Sequence, residues 1–461
     1  GRAGSIMEYL IYGALKKYKR LHAARFHMPG HKADRKRFPL FKDAALDITE
    51  LSFADCLENP DGLIAAAESD CAEILGAKRS FFLTDGSSSG IFAMLYAVKR
   101  RGGKIVIARG AHKSVYNACA VLGIEPYILK GNELDGIALP PAAAEIEDIF
   151  KKEKDVAAVL ATSPDYYGNI SDYAALRKIC DRYGKLLLVD GAHGAYLKFD
   201  PDAAHRYAGE YADAWVDGAH KTLPTLTQGA LLNVNREDLI PDLREGAGIF
   251  RTTSPSYPIM ASIEYGVKYL SENGGQLIDA VKREFSLMKM RLKKRGVLFY
   301  EGSETLQFAV DFGGMGICPY LAEEQLEKRR IYPEMNDGRY ILFYLSPLTR
   351  THHLARLERA IRRIAKMRSL KDTYDAKPEQ VCGIKKFSYL AALAFRKESV
   401  PIAQAAGRIA ARNAGATPPC FPVVVAGEQI TEQAVELLKN AKHTFGVIDG
   451  KIEVIKIGGE Q

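Results

Sequence analysis

Between Phe81 and Val234, short apolar runs alternate with amphipathic stretches, and this alternation restricts the fold more than any other feature. The apolar runs are Phe81-Phe82-Leu83, Lys104 to Ala108, Pro126 to Leu129, Val156 to Thr162, Lys185 to Asp190, Ala212 to Val216 and Gly229 to Val234. Helical periodicity occupies Ile91 to about Lys99, Ser114 to Leu122, Ala142 to Lys151 and Tyr173 to Tyr183. Strands that are apolar on both faces and separated by helices form a mostly parallel sheet covered on both sides. The fold class read from this is α/β, and in such sheets a ligand site lies beyond the carboxyl ends of the strands.

The flanking segments read differently. Ile6 to about Leu21 has the spacing of an amphipathic helix, and Ile64 to Leu75 is helical. Phe26 to Lys32 and Asp47 to Leu63 are irregular, as segments that build sites or subunit contacts often are. After Pro258 the spacing predicts helices over Ile259 to Leu270, Gln276 to Arg295, Ala322 to Arg329 and Leu354 to Met367. Strands are expected over Leu306 to Phe312 and Tyr340 to Leu345. Ser369 to Gly383 reads as a linker, and a last unit from Ile384 carries a proline-rich stretch and a terminal strand, Ile452 to Ile457. The division expected is 1–60, an N-terminal helix and site or interface segment; 61–258, the large domain; 259–370, a small α+β domain; and 384–461, a C-terminal α+β domain.

Composition removes several function classes. With 47% hydrophobic and 26% charged residues, the chain is an ordinary soluble globular protein. Its net charge of +8 comes from 64 basic and 56 acidic residues that are spread out, so no nucleic-acid partner is expected. The seven cysteines form no Cys-x-x-Cys pair. That argues against a disulfide framework or a zinc site, and a reducing, cytoplasmic setting with no metal is expected. No apolar run approaches about 18 residues, so no membrane helix is expected. The chain starts without a methionine; Met7 is expected to be the natural start, with Gly1 to Ser5 foreign to it.

Four strand ends carry chemistry. Gly86-Ser87-Ser88-Ser89-Gly90 lies between a strand and a helix, where amides and hydroxyls suit a phosphate. Serines there are also ordinary helix caps. His112 follows the next strand, where an imidazole could stack on a flat ring or simply cap the helix. Asp190 ends a very apolar strand, and a carboxylate there calls for a cationic partner such as a protonated pyridine nitrogen. Lys221 stands just past the strand that ends at Val216, among small and hydroxyl residues. A lone lysine is ordinarily a surface residue. One partly desolvated in a pocket can capture an aldehyde as a Schiff base.

Taken together, in this order, these residues resemble the fold type I pyridoxal phosphate (PLP) enzymes. Within them the chain resembles the ornithine/lysine/arginine decarboxylase family, closest to its short, Gram-positive-type members. The matching stretches are FHMPGHK (Phe26 to Lys32), DITEL (Asp47 to Leu51), HKS (His112 to Ser114) and SPDYYG (Ser163 to Gly168). They continue with AHG (Ala192 to Gly194), AHKTLPTLTQGA (Ala219 to Ala230), TTSPSY (Thr252 to Tyr257) and the proline-rich stretch ending at Gly427-Glu428.

The resemblance implies a PLP-binding, aspartate aminotransferase-like large domain with a small domain and a C-terminal family domain. It implies that Lys221 forms the Schiff base, Asp190 pairs with the pyridinium nitrogen, His112 stacks on the ring and Ala192 packs on its other face. Ser87, Ser88 and His220 would hold the phosphate, with His193 near the phenolic oxygen. Lys221, His112 and Asp190 would be the catalytic set. Thr252, Thr253 and Ser254 would complete a neighbouring subunit's site in a homodimer or dimer-based oligomer. The implied reaction is decarboxylation of arginine, lysine or ornithine to an amine or polyamine precursor, with Lys221 or His112 returning a proton to the carbon. A basic substrate side chain needs an acid, and Asp165, Glu58, Asp55 and Glu428 are candidates. Gly191, Asp85, Asp165, Cys420 and Ala426 depart from the usual family residues. Two alternatives stand beside this reading. One is another PLP reaction, such as an aminotransferase or a lyase, with Arg350 binding a carboxylate. The other is a non-catalytic paralogue that binds polyamines.

Overall fold

The structure is a computed structural model, and it describes residues 8–367, 382–417 and 419–456. In chain order, α1 (Leu10–Arg20) and α2 (Leu63–Leu75) precede β1 (Arg79–Leu83), α3 (Ser87–Arg100), β2 (Lys104–Ala108), α4 (Lys113–Leu122) and β3 (Pro126–Leu129). A two-stranded ribbon, β4 (Glu133–Leu134) and β5 (Ile137–Ala138), leads to α5 (Ala143–Lys152), β6 (Val156–Thr162), α6 (Tyr173–Tyr183) and β7 (Leu186–Asp190). Then come β8 (Ala214–Asp217), α7 (Ala219–Thr222), β9 (Ala230–Val234), α8 (Ile240–Phe250) and α9 (Tyr257–Lys293). They are followed by β10 (Gln307–Asp311), α10 (Pro319–Glu327), β11 (Met335–Asn336), β12 (Tyr340–Tyr344) and α11 (Thr351–Ile364). The last part holds α12 (Tyr389–Ala394), β13 (Lys397–Pro401), β14 (Gly415–Ala416), α13 (Glu432–Asn440), β15 (Thr444–Phe445), β16 (Val447–Ile448) and β17 (Lys451–Ile455). Each apolar run singled out in the sequence is a strand. The linker reading falls mostly on residues 368–381, and the expected start at Met7 on residues 1–7, both outside the described residues.

The chain divides into two compact units, each discontinuous in sequence. The first is Gly1–Arg100, Leu187–Val281 and Ser346–Leu348. Its strands lie in the order β1-β9-β8-β7. β7 and β8 are parallel, with Asp190 opposite Val216, while β9 is antiparallel to both β8 and β1. Only β9 is therefore reversed, and the carboxyl ends of β1, β7 and β8 lie on one edge. That edge is where Ser87, Asp190 and Lys221 emerge. The interior strands are fully buried, with Trp215, Val216, Leu231 and Leu232 at 0% exposure, which is why their sequences show no polar alternation.

Helix α1 is fastened to this unit by charge. Glu264 accepts the Leu10 and Ile11 amides at 2.6 and 2.9 Å, taking two of the donors that a helix start leaves open. Lys268 Nζ balances it at 2.8 Å and also reaches Asp70 Oδ2 and the Glu8 carbonyl. Where the sequence predicts two helices either side of Asn273-Gly274-Gly275, the structure has the single 37-residue α9. The glycines are there for closeness rather than as a break. A Cβ on Gly274 would lie 2.9 Å from Phe199 Cβ, and one on Gly275 3.3 Å from Pro201 Cγ.

The second unit is Arg101–Leu186, Lys282–Leu345 and Thr349–Gln461. It holds the all-parallel run β6-β2-β3 and an antiparallel sheet β10-β12-β11. Its C-terminal part adds the sheet β13-β17-β16 around a core of Ala410, Val424, Ile430, Leu438 and Val454. Among the described residues no helix is long and apolar enough to cross a membrane. All seven cysteines are free thiols.

Candidate active site

The corner after β8 brings Lys221 inward. Gly218 sits so close to the turn after β7 that a Cβ there would lie 2.5 Å from the Ala192 carbonyl oxygen. Only glycine permits that approach, and it stacks the α7 corner directly on Gly191-Ala192-His193. Lys221 Nζ then lies 3.2 Å from His193 Nε2. Asp190 is 4% exposed, and its Oδ1 accepts the Ala192 amide at 3.2 Å. Burial raises its pKa, while the Lys221 charge and the Ala192 amide act in the opposite sense. A carboxylate so placed favours a cationic N–H arriving beside it.

The second feature of this edge is an anion loop. Gly86 has φ +85°, which turns the chain from β1 into the 14-residue α3. Among the described residues the hydroxyls of Ser87 and Ser88 make no hydrogen bond, and both stand at the positive end of α3. The Gly86 amide donates to the Gln228 carbonyl at 2.8 Å. The next carbonyl, Gly229, accepts both the His220 amide and His220 Nδ1–H, at 2.9 and 3.1 Å. These bonds draw the His220 turn and the serine loop together. Burial first, then the Lys221 charge, lower the His220 pKa, so its ring is neutral with the proton on Nδ1. A phosphate beside it would favour the doubly protonated ring, whose Nε2–H can donate.

The residues fit a phosphorylated pyridine aldehyde on three counts. There are uncommitted hydroxyls at a helix start for the phosphate, a buried carboxylate for the ring nitrogen, and an amine beside an imidazole for the aldehyde. Ala192, 5% exposed, lies on the same turn as His193. The departure at Asp85 has a structural use. Its Oδ1 accepts the Ser89 hydroxyl at 2.8 Å and its Oδ2 the Thr252 amide at 3.0 Å.

His112 belongs to the second unit. It is the N-cap of α4, and its Nδ1 accepts the Ser114 amide at 3.2 Å. The capping use weighed for it in the sequence is therefore real. Because Nδ1 accepts, the neutral ring carries its proton on Nε2. The His112 loop is tied to the C-terminal part of its unit. The Lys113 amide donates to the Cys420 carbonyl at 2.8 Å, and Arg109 pairs with both Glu428 oxygens at 3.2 and 2.7 Å.

Most of the acids considered for a basic substrate are committed elsewhere. Glu428 is held by Arg109. Asp165 accepts the Tyr167 and Asn169 amides and Asn169 Nδ2, and burial pushes it up to about 6. Asp55 accepts the amides of Gly62, Ile64 and Ala65 and so fastens the start of α2. Glu58 is exposed and, among the described residues, makes no side-chain hydrogen bond. Arg350 sits exposed at the N-cap of α11, and Thr252, Thr253 and Ser254 are all exposed.

Two residues behind the loop were not foreseen. Glu68 and Arg251, 1% and 7% exposed, both bond to the backbone of Phe82 in β1. The signal for Glu68 was available. Ile64, Glu68, Cys71 and Leu75 share one helical face, so a carboxylate stands in an apolar stripe.

Known proteins are similar to this chain along nearly its whole length. The profile of the Orn/Lys/Arg decarboxylase major domain matches residues 10–309, and that of the family's C-terminal domain matches residues 367–447. An arginine decarboxylase of Bacillus subtilis (strain 168) is 28% identical over 98% of this chain and 98% of its own length. One from Bacillus anthracis is 27% identical over 93% and 92%. Among solved structures, lysine decarboxylase A from Pseudomonas aeruginosa superposes with a TM-score of 0.82 at 18% identity, covering 97% of this chain and 80% of that one. The architecture is thus that of the fold type I enzymes, with a mostly parallel central sheet and a C-terminal domain.

Proposed function

The chain belongs to the Orn/Lys/Arg decarboxylase family, and on that premise we propose that it removes the α-carboxylate of arginine, lysine or ornithine with the help of pyridoxal phosphate. It is an amino-acid decarboxylase. The observation that carries it is Lys221 Nζ at 3.2 Å from His193, on the same turn as the buried Asp190.

In this reading Lys221 binds the cofactor's aldehyde through its amine. Asp190 holds the proton on the ring nitrogen, because a buried carboxylate is stabilised by a cation at that point. Ser87, Ser88 and His220 hold the phosphate, and the start of α3 adds its positive end. Ala192 would lie against the ring and His193 near the phenolic oxygen. Bound there, the cofactor would supply an electron sink for the pair left behind as carbon dioxide departs. Lys221 would then return a proton to the α-carbon. Glu58, whose carboxylate is uncommitted, reads the distal cation of the substrate.

We read the assembly as a homodimer or dimer-based oligomer in the cytoplasm. Phe26, Met28, Leu40 and Phe41 are 95, 65, 74 and 66% exposed in the N-terminal segment, apolar surface that a second copy would cover. Seven free thiols suit a reducing compartment. The test of function is a screen of amino acids for carbon dioxide and amine with pyridoxal phosphate present. Release from one of the three basic amino acids is expected, and release from none of them would reject the substrate assignment.

A further inference from the structure

Strand β1 delivers the chain to Ser87 and Ser88, and among the described residues it is an edge strand that pairs with β9 alone. An edge leaves alternate amides and carbonyls without a ladder partner. At Phe82 a buried carboxyl and a buried guanidinium take them. The Phe82 amide donates to Glu68 Oε1 at 2.9 Å, and the Phe82 carbonyl accepts Arg251 Nη1 at 3.2 Å. Arg251 Nη2 reaches the Leu57 carbonyl at 3.2 Å, so the same guanidinium also ties down the irregular segment before α2. The following amide, Thr252, donates to Asp85 Oδ2, and Asp85 Oδ1 takes the Ser89 hydroxyl. Residues 251 and 252 therefore hold the chain ahead of the loop at two points, Phe82 in the strand and Asp85 before Gly86, and Asp85 reaches on to Ser89 in the first turn of α3.

This grip is backed by rigid elements. Arg251 is the C-cap of α8, where its amide donates to the Ala247 carbonyl. Helix α8 lies against α3 so closely that a Cβ on Gly246 would be 2.9 Å from Ala93 Cα. Glu68 comes from α2 and also faces Arg79 at 3.5 Å. Buried charges are costly unless paired and hydrogen-bonded. Here a carboxyl and a guanidinium are spent on the N–H and C=O of one residue, Phe82, four residues before Gly86.

We propose that Arg251, seated beside Glu68, is a positioning residue for the loop Gly86–Ser88, setting the end of β1 so that both serine hydroxyls meet a phosphate monoester. The inference rests on reading that loop as the phosphate site. It gives Arg251 no contact with substrate or cofactor.

The test compares two ligands that differ only in the phosphate. The full-length protein, freed of cofactor, is titrated with pyridoxal phosphate and with pyridoxal, following the visible absorbance each acquires on joining Lys221. The wild type prefers the phosphate ester. Arg251→Met is expected to weaken pyridoxal phosphate binding by about tenfold or more while leaving pyridoxal within about twofold, as loss of the charged hydrogen bond that sets the strand before the loop implies. Arg251→Lys, which keeps a cationic donor, recovers part of the preference. Should Arg251→Met fail to fold, Asp85→Ala cuts the same grip at a half-buried position and shows the same selective loss. An equal loss for both ligands, or none for either, overturns the positioning role. A wild type that binds both ligands alike overturns the phosphate reading of the loop, and the inference with it.

Discussion

Asp190 ends β7 with its carboxylate nearly out of water and one backbone amide as its hydrogen-bonding donor. Its electrostatic relief comes from Lys221, and it favours a further cation. If that cation is a pyridinium, Asp190→Asn removes the charge and keeps the shape. The expected result is retained cofactor binding with kcat lowered on the order of a hundredfold or more, as for other groups aimed at developing charge; unchanged kcat would remove Asp190 from the mechanism. An exposed carboxylate reading a substrate cation acts in binding, so Glu58→Gln should raise KM for the basic amino acid by about tenfold with little change in kcat. Asp190 and Lys221 are legible in the sequence as neighbours because β7 and β8 run parallel, so their carboxyl ends gather on one edge. The apolar stripe around Glu68 marks its burial but not its use, and Arg251 carries no signal, because a charged residue in a loop ordinarily belongs to a solvated face and only the fold shows that β1 is an edge needing their bonds.

Elements show where local pattern suffices and where packing decides. The strands followed from apolar runs, since burial on both faces leaves no other pattern. Helix α9 did not, because Gly274 and Gly275 look like a stop until the Phe199 and Pro201 side chains are placed against them. Likewise α1 is amphipathic in sequence, but its fastening by Glu264 and Lys268, 0% and 2% exposed, needed residues more than 250 positions away. Glu264→Ala leaves Lys268 buried with one carboxylate fewer and opens two α1 amides. It should lower stability by about 3–5 kcal/mol, the range for breaking a buried pair. Chemical denaturation measures this, and a loss below about 1 kcal/mol, the scale of an exposed pair, would contradict the role given to it.

For the molecule as a whole, buried carboxyls set the dependence of stability on pH. Burial pushes Glu68 up to about 7 against the Phe82 amide and the charges of Arg79 and Arg251, with Asp55 adding to the rise. Asp217 is likewise pushed up to about 7 and Asp165 to about 6. Unfolded carboxyls titrate near 4. Between these values the folded chain keeps protons that the unfolded chain has released, so this contribution is complete below about 4 and is lost as pH rises through about 6 to 7. The unfolding midpoint should therefore be higher at about pH 5.5 than at about pH 8, and Glu68→Gln should reduce the difference. A midpoint that rises with pH across this window, or a slope untouched by Glu68→Gln, would show that these carboxyls are charged in the folded state.

Lys221 is the residue on which the proposed chemistry turns. The direct measurement is borohydride reduction of the protein loaded with pyridoxal phosphate, followed by peptide mass mapping. The phosphopyridoxyl group is predicted on Lys221, with no labelling there in Lys221→Ala. A label on another lysine, or none on the wild type, would contradict it.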